Sequence, residues 1–135
     1  MLKEGIETLP GNTYPNLLLI APHGYPDDDE NTGGLVRSVQ RILDCSAIIN
    51  EVYRRPKPLK AKSKQYEKSS LKEKILDLND RTDAEKLPYY IEQIQQSIKE
   101  PGSTIVVWIH GIEDKNIKDE SKKLDLKERL HCLIG

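Results

Sequence analysis

The sequence has no phenylalanine, one tryptophan and one methionine. Its core must come from Leu, Ile and Val, and in 135 residues that core is modest. No apolar run approaches the roughly 20 residues that span a bilayer. The N-terminus, Met1-Leu2-Lys3-Glu4-Gly5, lacks the apolar stretch of a secretory signal. An excess of one charge is also missing. With 21 Lys+Arg against 22 Asp+Glu the net charge is −1, so no overall field draws nucleic acid or an anionic membrane. The two cysteines, Cys45 and Cys132, do not have metal-pair spacing, and both stand among apolar residues. They read as buried free thiols in a reducing cytoplasm. No Gly-x-Ser-x-Gly elbow occurs, and Ser38, Ser46 and Ser103 lie in poor contexts for a nucleophile.

What is present has the pattern of a single soluble α/β domain over 1–135. Residues 1–15 carry Pro10, Gly11 and Pro15 and read as an irregular lead-in. Asn16 to Ala21 is a continuous apolar run, as in a strand buried on both faces. A polar loop over 23–34 holds four consecutive acids, Asp27 to Glu30. Leu35, Val36, Val39, Ile42 and Leu43 then share one helical face, with Asn31 or Thr32 as cap. Ala47 to Val52 reads as a second strand. The resulting βαβ unit predicts a parallel pair. Residues 57–76 are rich in lysine and lack a clear period, which suggests a mobile excursion. Thr82-Asp83-Ala84-Glu85 has capping-box form. Pro88 sets the start of the main helix near Leu87, with Leu87, Ile91, Ile94 and Ile98 on its buried face. Thr104 to Ile109 is the strongest strand. Residues 112–129 read as loop and short helix, and Leu130 to Gly135 as the start of a further strand. The expected architecture is an open, mainly parallel sheet with flanking helices. A chain that stops in mid-strand reads as the N-terminal part of a longer domain.

In such sheets ligands bind beyond the carboxyl ends of the strands. The first strand delivers His23 to that edge and the strand at 104–109 delivers His110. Each is followed by Gly, which lets the backbone turn beside a ligand. Two His and one carboxylate are the ligand set of a catalytic zinc with an open position for water. The carboxylate would come from the acidic loop, with Asp28 or Asp29 leading because they leave loop enough to fold back. A calcium loop would need acids at alternate positions, which this run does not supply. Arg54 and Arg55 follow the second strand and should reach the same edge, where a guanidinium fits a substrate carboxylate. Asn79 is a further candidate for positioning substrate. His131 lies inside an apolar run and reads as structural.

Four segments in order, Ala21-Pro22-His23-Gly24, Ala47-Ile48-Ile49-Asn50 with Tyr53-Arg54-Arg55, Asp77-Leu78-Asn79, and Val107-Trp108-Ile109-His110-Gly111, resemble the N-formylglutamate amidohydrolase-like family. Its relatives have the zinc carboxypeptidase-like, phosphorylase/hydrolase-like fold. The resemblance covers roughly residues 16–111. It implies a zinc-dependent hydrolase of an amide bond in a small carboxylate-bearing substrate. It places one zinc on His23, His110 and an acid soon after His23, and substrate on Arg54 or Arg55 and Asn79. The family pattern continues Asp-Leu-Asn with Arg, whereas here Asp80 precedes Arg81. A catalytic Glu lies well beyond the second metal His in the related hydrolases, so the general base is expected beyond Gly135; Glu113 is the acid nearest His110.

Two other readings stand beside this one. The first is a catalytically inactive hydrolase-fold scaffold. The second is a polyanion- or RNA-binding module using the 57–74 lysine loop with Tyr66 inside it. Nucleic acid is not the expected partner, because acids elsewhere balance the lysines and aromatics are sparse there. No membrane partner is expected, and the oligomeric state is not legible.

Overall fold

The structure is a computed structural model that describes residues 1–29 and 31–111. The expectations for 112–135, including Glu113, His131, Cys132 and the terminal strand, lie outside the described residues, as does Glu30.

Five strands form one sheet: β1 (Leu2–Lys3), β2 (Ile6–Leu9), β3 (Tyr14–Ala21), β4 (Cys45–Asn50) and β5 (Ile105–Trp108). Three helices accompany it: α1 (Thr32–Leu43), α2 (Arg81–Ala84) and α3 (Pro88–Ser97). The spatial order is β1-β2-β4-β3-β5. The β3–α1–β4 unit is a parallel crossover, and β5 adds parallel to β3 on the other side. β2 pairs antiparallel with β4, and β1 antiparallel with β2. The sheet is therefore mixed, not mainly parallel.

The reason is the N-terminal segment, which is a hairpin and not an irregular lead-in. Glu4 and Gly5 both have positive φ, 51° and 78°, which builds a two-residue turn whose twist matches the strands it joins. Its second strand then buries Ile6 completely.

Alternation along the strands splits the core. Leu18, Ile20 and Ile48 point to one face, where Leu76, Leu78, Leu87 and Tyr90 cover them. Leu19, Ala21, Ala47 and Ile49 point to the other, where α1 packs Val36. Cover on both faces explains why Leu17 to Ala21 of β3 and Ala47 to Ile49 of β4 are apolar without interruption. Along α3 and its two cap residues, Leu87 is buried, and Ile91, Ile94 and Ile98 pack against the same cluster. Tyr89 and Tyr90, which the helical period did not select, are buried too.

Two helix starts differ from expectation. Asn31 is the residue before α1 but has φ 68° and makes no capping bond with its side chain. Thr32 instead donates its hydroxyl back to the Asp29 carbonyl at 2.9 Å. At α2 the cap is Asp80, whose side chain accepts from the Asp83 amide, so the motif starts two residues earlier than Thr82. Pro88 sits in the first turn of α3, where its missing N–H costs nothing.

The lysine-rich stretch is tied at both ends. The Arg54 amide donates to Lys74 O at 3.1 Å and the Leu76 amide to Arg54 O at 3.0 Å. Ile75 and Leu76 then enter the core. Among the described residues no helix is long and apolar enough to cross a membrane.

Candidate metal centre

Parallel pairing brings the carboxyl ends of β3, β4 and β5 to one edge, and three segments leave the sheet there. Pro22-His23-Gly24 follows β3, Glu51 onward follows β4, and Ile109-His110-Gly111 follows β5. The Ile109 amide still donates to Ile20 O at 2.8 Å, so His110 stays in step with β3 as far as the site. Asn50 ties the ends together. Fully buried, it donates from Nδ2 to Pro22 O at 2.7 Å and Tyr53 O at 2.6 Å. Its Oδ1 accepts from the amides of Val52 and Tyr53.

Neither glycine has a left-handed backbone; Gly24 is needed for close approach, and Gly111 stands in a tight contact. A Cβ on Gly24 would lie 2.8 Å from Asn50 O and from Ile49 Cγ2. One on Gly111 would lie 3.1 Å from Asp29 Cβ.

His23 and His110 meet, as their positions on adjacent parallel strands require. Their Nδ1 atoms are 3.3 Å apart. Asp29 Oδ2 lies 3.1 Å from His23 Nδ1 and 3.5 Å from His110 Nδ1. His23 and Asp29 are buried, and His110 is partly open to solvent. These three residues form a candidate metal-binding triad.

The donor chemistry fits a tetrahedral cation. Bonds of about 2.0–2.1 Å hold tetrahedral donors about 3.3 Å apart, and the three observed separations bracket that value. The tautomer of His23 fits as well. Its Nε2 lies 2.8 Å from Asp77 Oδ1. An ionised carboxylate only accepts, and each nitrogen of His23 faces one, so a cation at the centre would leave the proton on Nε2 and turn the Nδ1 lone pair inward. A lone pair, a second imidazole nitrogen and a carboxylate oxygen would then converge, a donor set that could hold a metal ion.

The neighbours of the triad orient it. Arg55 Nη2 donates to Asp29 Oδ1 at 2.8 Å, which turns Oδ2 towards the imidazoles. Arg55 also binds Asp28 through its backbone amide and Nε, at 2.9 and 2.7 Å. Burial alone would lower the affinity of Arg55 for its proton, but Asp28, Asp29 and Asp77 outweigh it and hold the group more firmly charged. Of the two leading acids, Asp29 therefore faces the imidazoles, and Asp28 faces Arg55. The hydrogen bond from His23 is the largest influence on Asp77 and, with the Asn79 amide and Arg55, holds its carboxyl below the usual range against the opposing effect of burial. Asp77 is in turn set by Asp83, whose Oδ2 accepts from the Asp77 amide at 3.0 Å and from Ser69 Oγ at 2.5 Å.

The remaining predicted residues are placed differently. Arg54 leaves the site and pairs with Glu67 at 2.7 Å. Asn79 is exposed beside Asp77 and reaches the site through its backbone amide, which donates to Asp77 Oδ1 at 3.0 Å. Asp77 itself was not singled out from the sequence, although it opens the Asp77-Leu78-Asn79 segment. A buried histidine ligand needs an acceptor for its far nitrogen, and that need was the available signal. Asn50 and Asp83 were likewise passed over.

A cleft of about 820 Å³ opens alongside, with Asp28, Arg55, Lys57, Tyr66, Asp77 and Asp83 in its walls. It shares Asp28, Arg55 and Asp77 with the site but contains no member of the triad. In comparisons with known proteins, no family model, no curated protein and no solved structure matches this chain.

Proposed function

We propose that the chain is a zinc-dependent hydrolase of an amide bond in a small carboxylate-bearing substrate, of the N-formylglutamate amidohydrolase-like kind, with the hydrolase-like fold that this implies. The observation that carries the reading is the triangle of His23 Nδ1, His110 Nδ1 and Asp29 Oδ2, with edges of 3.1, 3.3 and 3.5 Å.

A zinc ion held there supplies Lewis acidity, polarising a carbonyl and acidifying water. The chain's own residues do the rest. Asp77 keeps the His23 proton on Nε2. Arg55 keeps Asp29 turned inward. The Arg55 side chain is about two-fifths exposed in the cleft wall, and among the described residues its Nη1 makes no hydrogen bond. We assign a substrate carboxylate to that nitrogen. Arg54 is occupied by Glu67, which makes Arg55 the better of the two candidates. Asn79, exposed beside Asp77, is the other residue assigned to substrate.

The test is turnover of N-formyl and N-acetyl amino acids by the zinc-loaded chain, with free amine as the readout. We expect hydrolysis that a chelator abolishes. Arg55→Lys should raise KM about tenfold or more for substrates with a free carboxylate and much less for their methyl esters. Equal KM changes for acid and ester would remove Arg55 from the carboxylate role. Zinc uptake without hydrolysis of any such amide would favour the inactive-scaffold reading.

A further inference from the structure

The proposed hydrolase leaves the lysine-rich stretch without a role, yet it is a built feature. Lys57 to Glu67 folds back on itself. The Glu67 amide donates to Lys57 O and the Leu59 amide to Gln65 O, both at 3.0 Å, on either side of the opposed pair Pro58 and Tyr66. The tip is closed by the Ser63 amide donating to Lys60 O and the Gln65 amide donating to Ser63 Oγ, with Lys62 left-handed at φ 63°. Arg54 anchors the base through Glu67.

Residues 57–74 hold seven lysines against two acids, Glu67 and Glu73, a surplus of five positive charges. The whole chain carries −1, so the remainder carries −6. Charge is segregated on this arm although the total is near neutral. Among the described residues no lysine of the arm makes a salt bridge. Tyr66, between Lys64 and Lys68, is 60% exposed and stands at the lip of the cleft.

We propose that this arm is a docking surface for a single-stranded nucleic acid, with the lysines on phosphates and Tyr66 as a stacking platform for one base. Phosphate contacts from flexible lysines and one aromatic face suffice for binding without sequence preference. An anionic membrane would need apolar side chains on one face. Leu59 is also 60% exposed, but it is the one aliphatic side chain larger than alanine between Lys57 and Lys64 other than the prolines, and it lies in the bend after the isolated Pro58–Tyr66 bridge. One leucine among four lysines makes no insertion surface for a bilayer. An acidic polypeptide would use the lysines and leave the exposed ring unused.

The experiment is fluorescence anisotropy of a labelled 20-nucleotide oligouridine with the full chain, at 50 to 300 mM salt, with and without chelator. Competitors are polyglutamate of equal length and vesicles of phosphatidylcholine with phosphatidylserine. We expect binding that weakens with salt at a log–log slope of about −3, corresponding to about four phosphates, and that is unmoved by chelator. The triple variant Lys60→Glu, Lys62→Glu, Lys64→Glu should lose at least tenfold in affinity while keeping the wild-type circular dichroism. Tyr66→Ala should lose about fivefold or more. The proposal is overturned by absence of binding at 50 mM salt or by a triple variant that is folded and binds as the wild type does. A Tyr66→Ala variant with wild-type affinity, or preference for polyglutamate or the vesicles over oligouridine, would overturn it equally.

Discussion

Asn50 offers a sharp test of how the strand ends are held. Its amide nitrogen donates to two buried carbonyls, Pro22 O at 2.7 Å and Tyr53 O at 2.6 Å, while Oδ1 accepts two backbone amides. Asn50→Asp preserves shape and the accepting oxygen but puts a second oxygen against both carbonyls. Two orphaned buried acceptors at about 1–3 kcal/mol each give a loss of about 2–6 kcal/mol at neutral pH. That is a large share of the roughly 5–15 kcal/mol typical of a domain. The loss depends on pH with a definite sign. Burial against two carbonyls raises the folded pKa of the new carboxyl above its unfolded value of about 3.9. The folded state then binds the extra proton, which can donate to one carbonyl. Stability of the variant relative to wild type is therefore best at low pH and falls as pH rises through the folded value. Asn50→Ala should lose a similar amount with no such pH dependence. Urea melts from pH 4.5 to 8, followed by far-UV circular dichroism and by the single tryptophan, Trp108, read the difference directly. A loss under about 1 kcal/mol at pH 7, or an Asn50→Asp gap that stays constant with pH, would refute the reasoning.

Other outcomes follow from the same geometry. Asp77→Asn keeps the shape beside His23 but no longer forces the proton onto Nε2. Zinc affinity by competition with a chromogenic chelator should fall about 10–100-fold with little change in the urea midpoint, whereas an unchanged affinity would detach Asp77 from the site. Asp83 is buried, and its carboxyl is held low. Burial acts to raise it, but the bonds from Lys86, Ser69 and the Asp77 amide together prevail. Its contribution is therefore fully present above about pH 3.9 and is lost as pH falls through the lowered folded value. Asp83→Asn should be less stable at pH 7 and should show a shallower acid limb in a stability–pH profile; parallel profiles would contradict this.

The elements with strong patterning were legible in the sequence. The run from Asn16 to Ala21, the helical period from Leu35 to Leu43 and the run from Thr104 to Ile109 each correspond to an observed element. They set the two histidines on neighbouring parallel strands, so the meeting of His23 and His110 could be anticipated. The N-terminal hairpin was not legible. Ile6-Glu7-Thr8-Leu9 is short, and Glu-Gly is a weaker hairpin signal than Asn-Gly or Asp-Gly. Missing it led to a mainly parallel sheet where the real one is mixed. The choice between Asp28 and Asp29 could not be read either. It depends on how Arg55 divides its donors, with its amide and Nε on Asp28 and its Nη2 on Asp29, tertiary contacts without local pattern. Asp77 is 54 residues from His23 and became visible only when Ile75, Leu76 and Leu78 fixed its segment in the core.

The central claim is that His23, Asp29 and His110 hold one metal ion. Elemental analysis of the purified full chain, before and after dialysis against a chelator and again after adding zinc, tests it most directly, with His23→Ala and His110→Ala alongside. The account predicts about one zinc per chain in the wild type, restored after chelation, and loss of that zinc in both variants. A wild-type chain that takes up no zinc, or folded variants that retain it in full, would contradict the account.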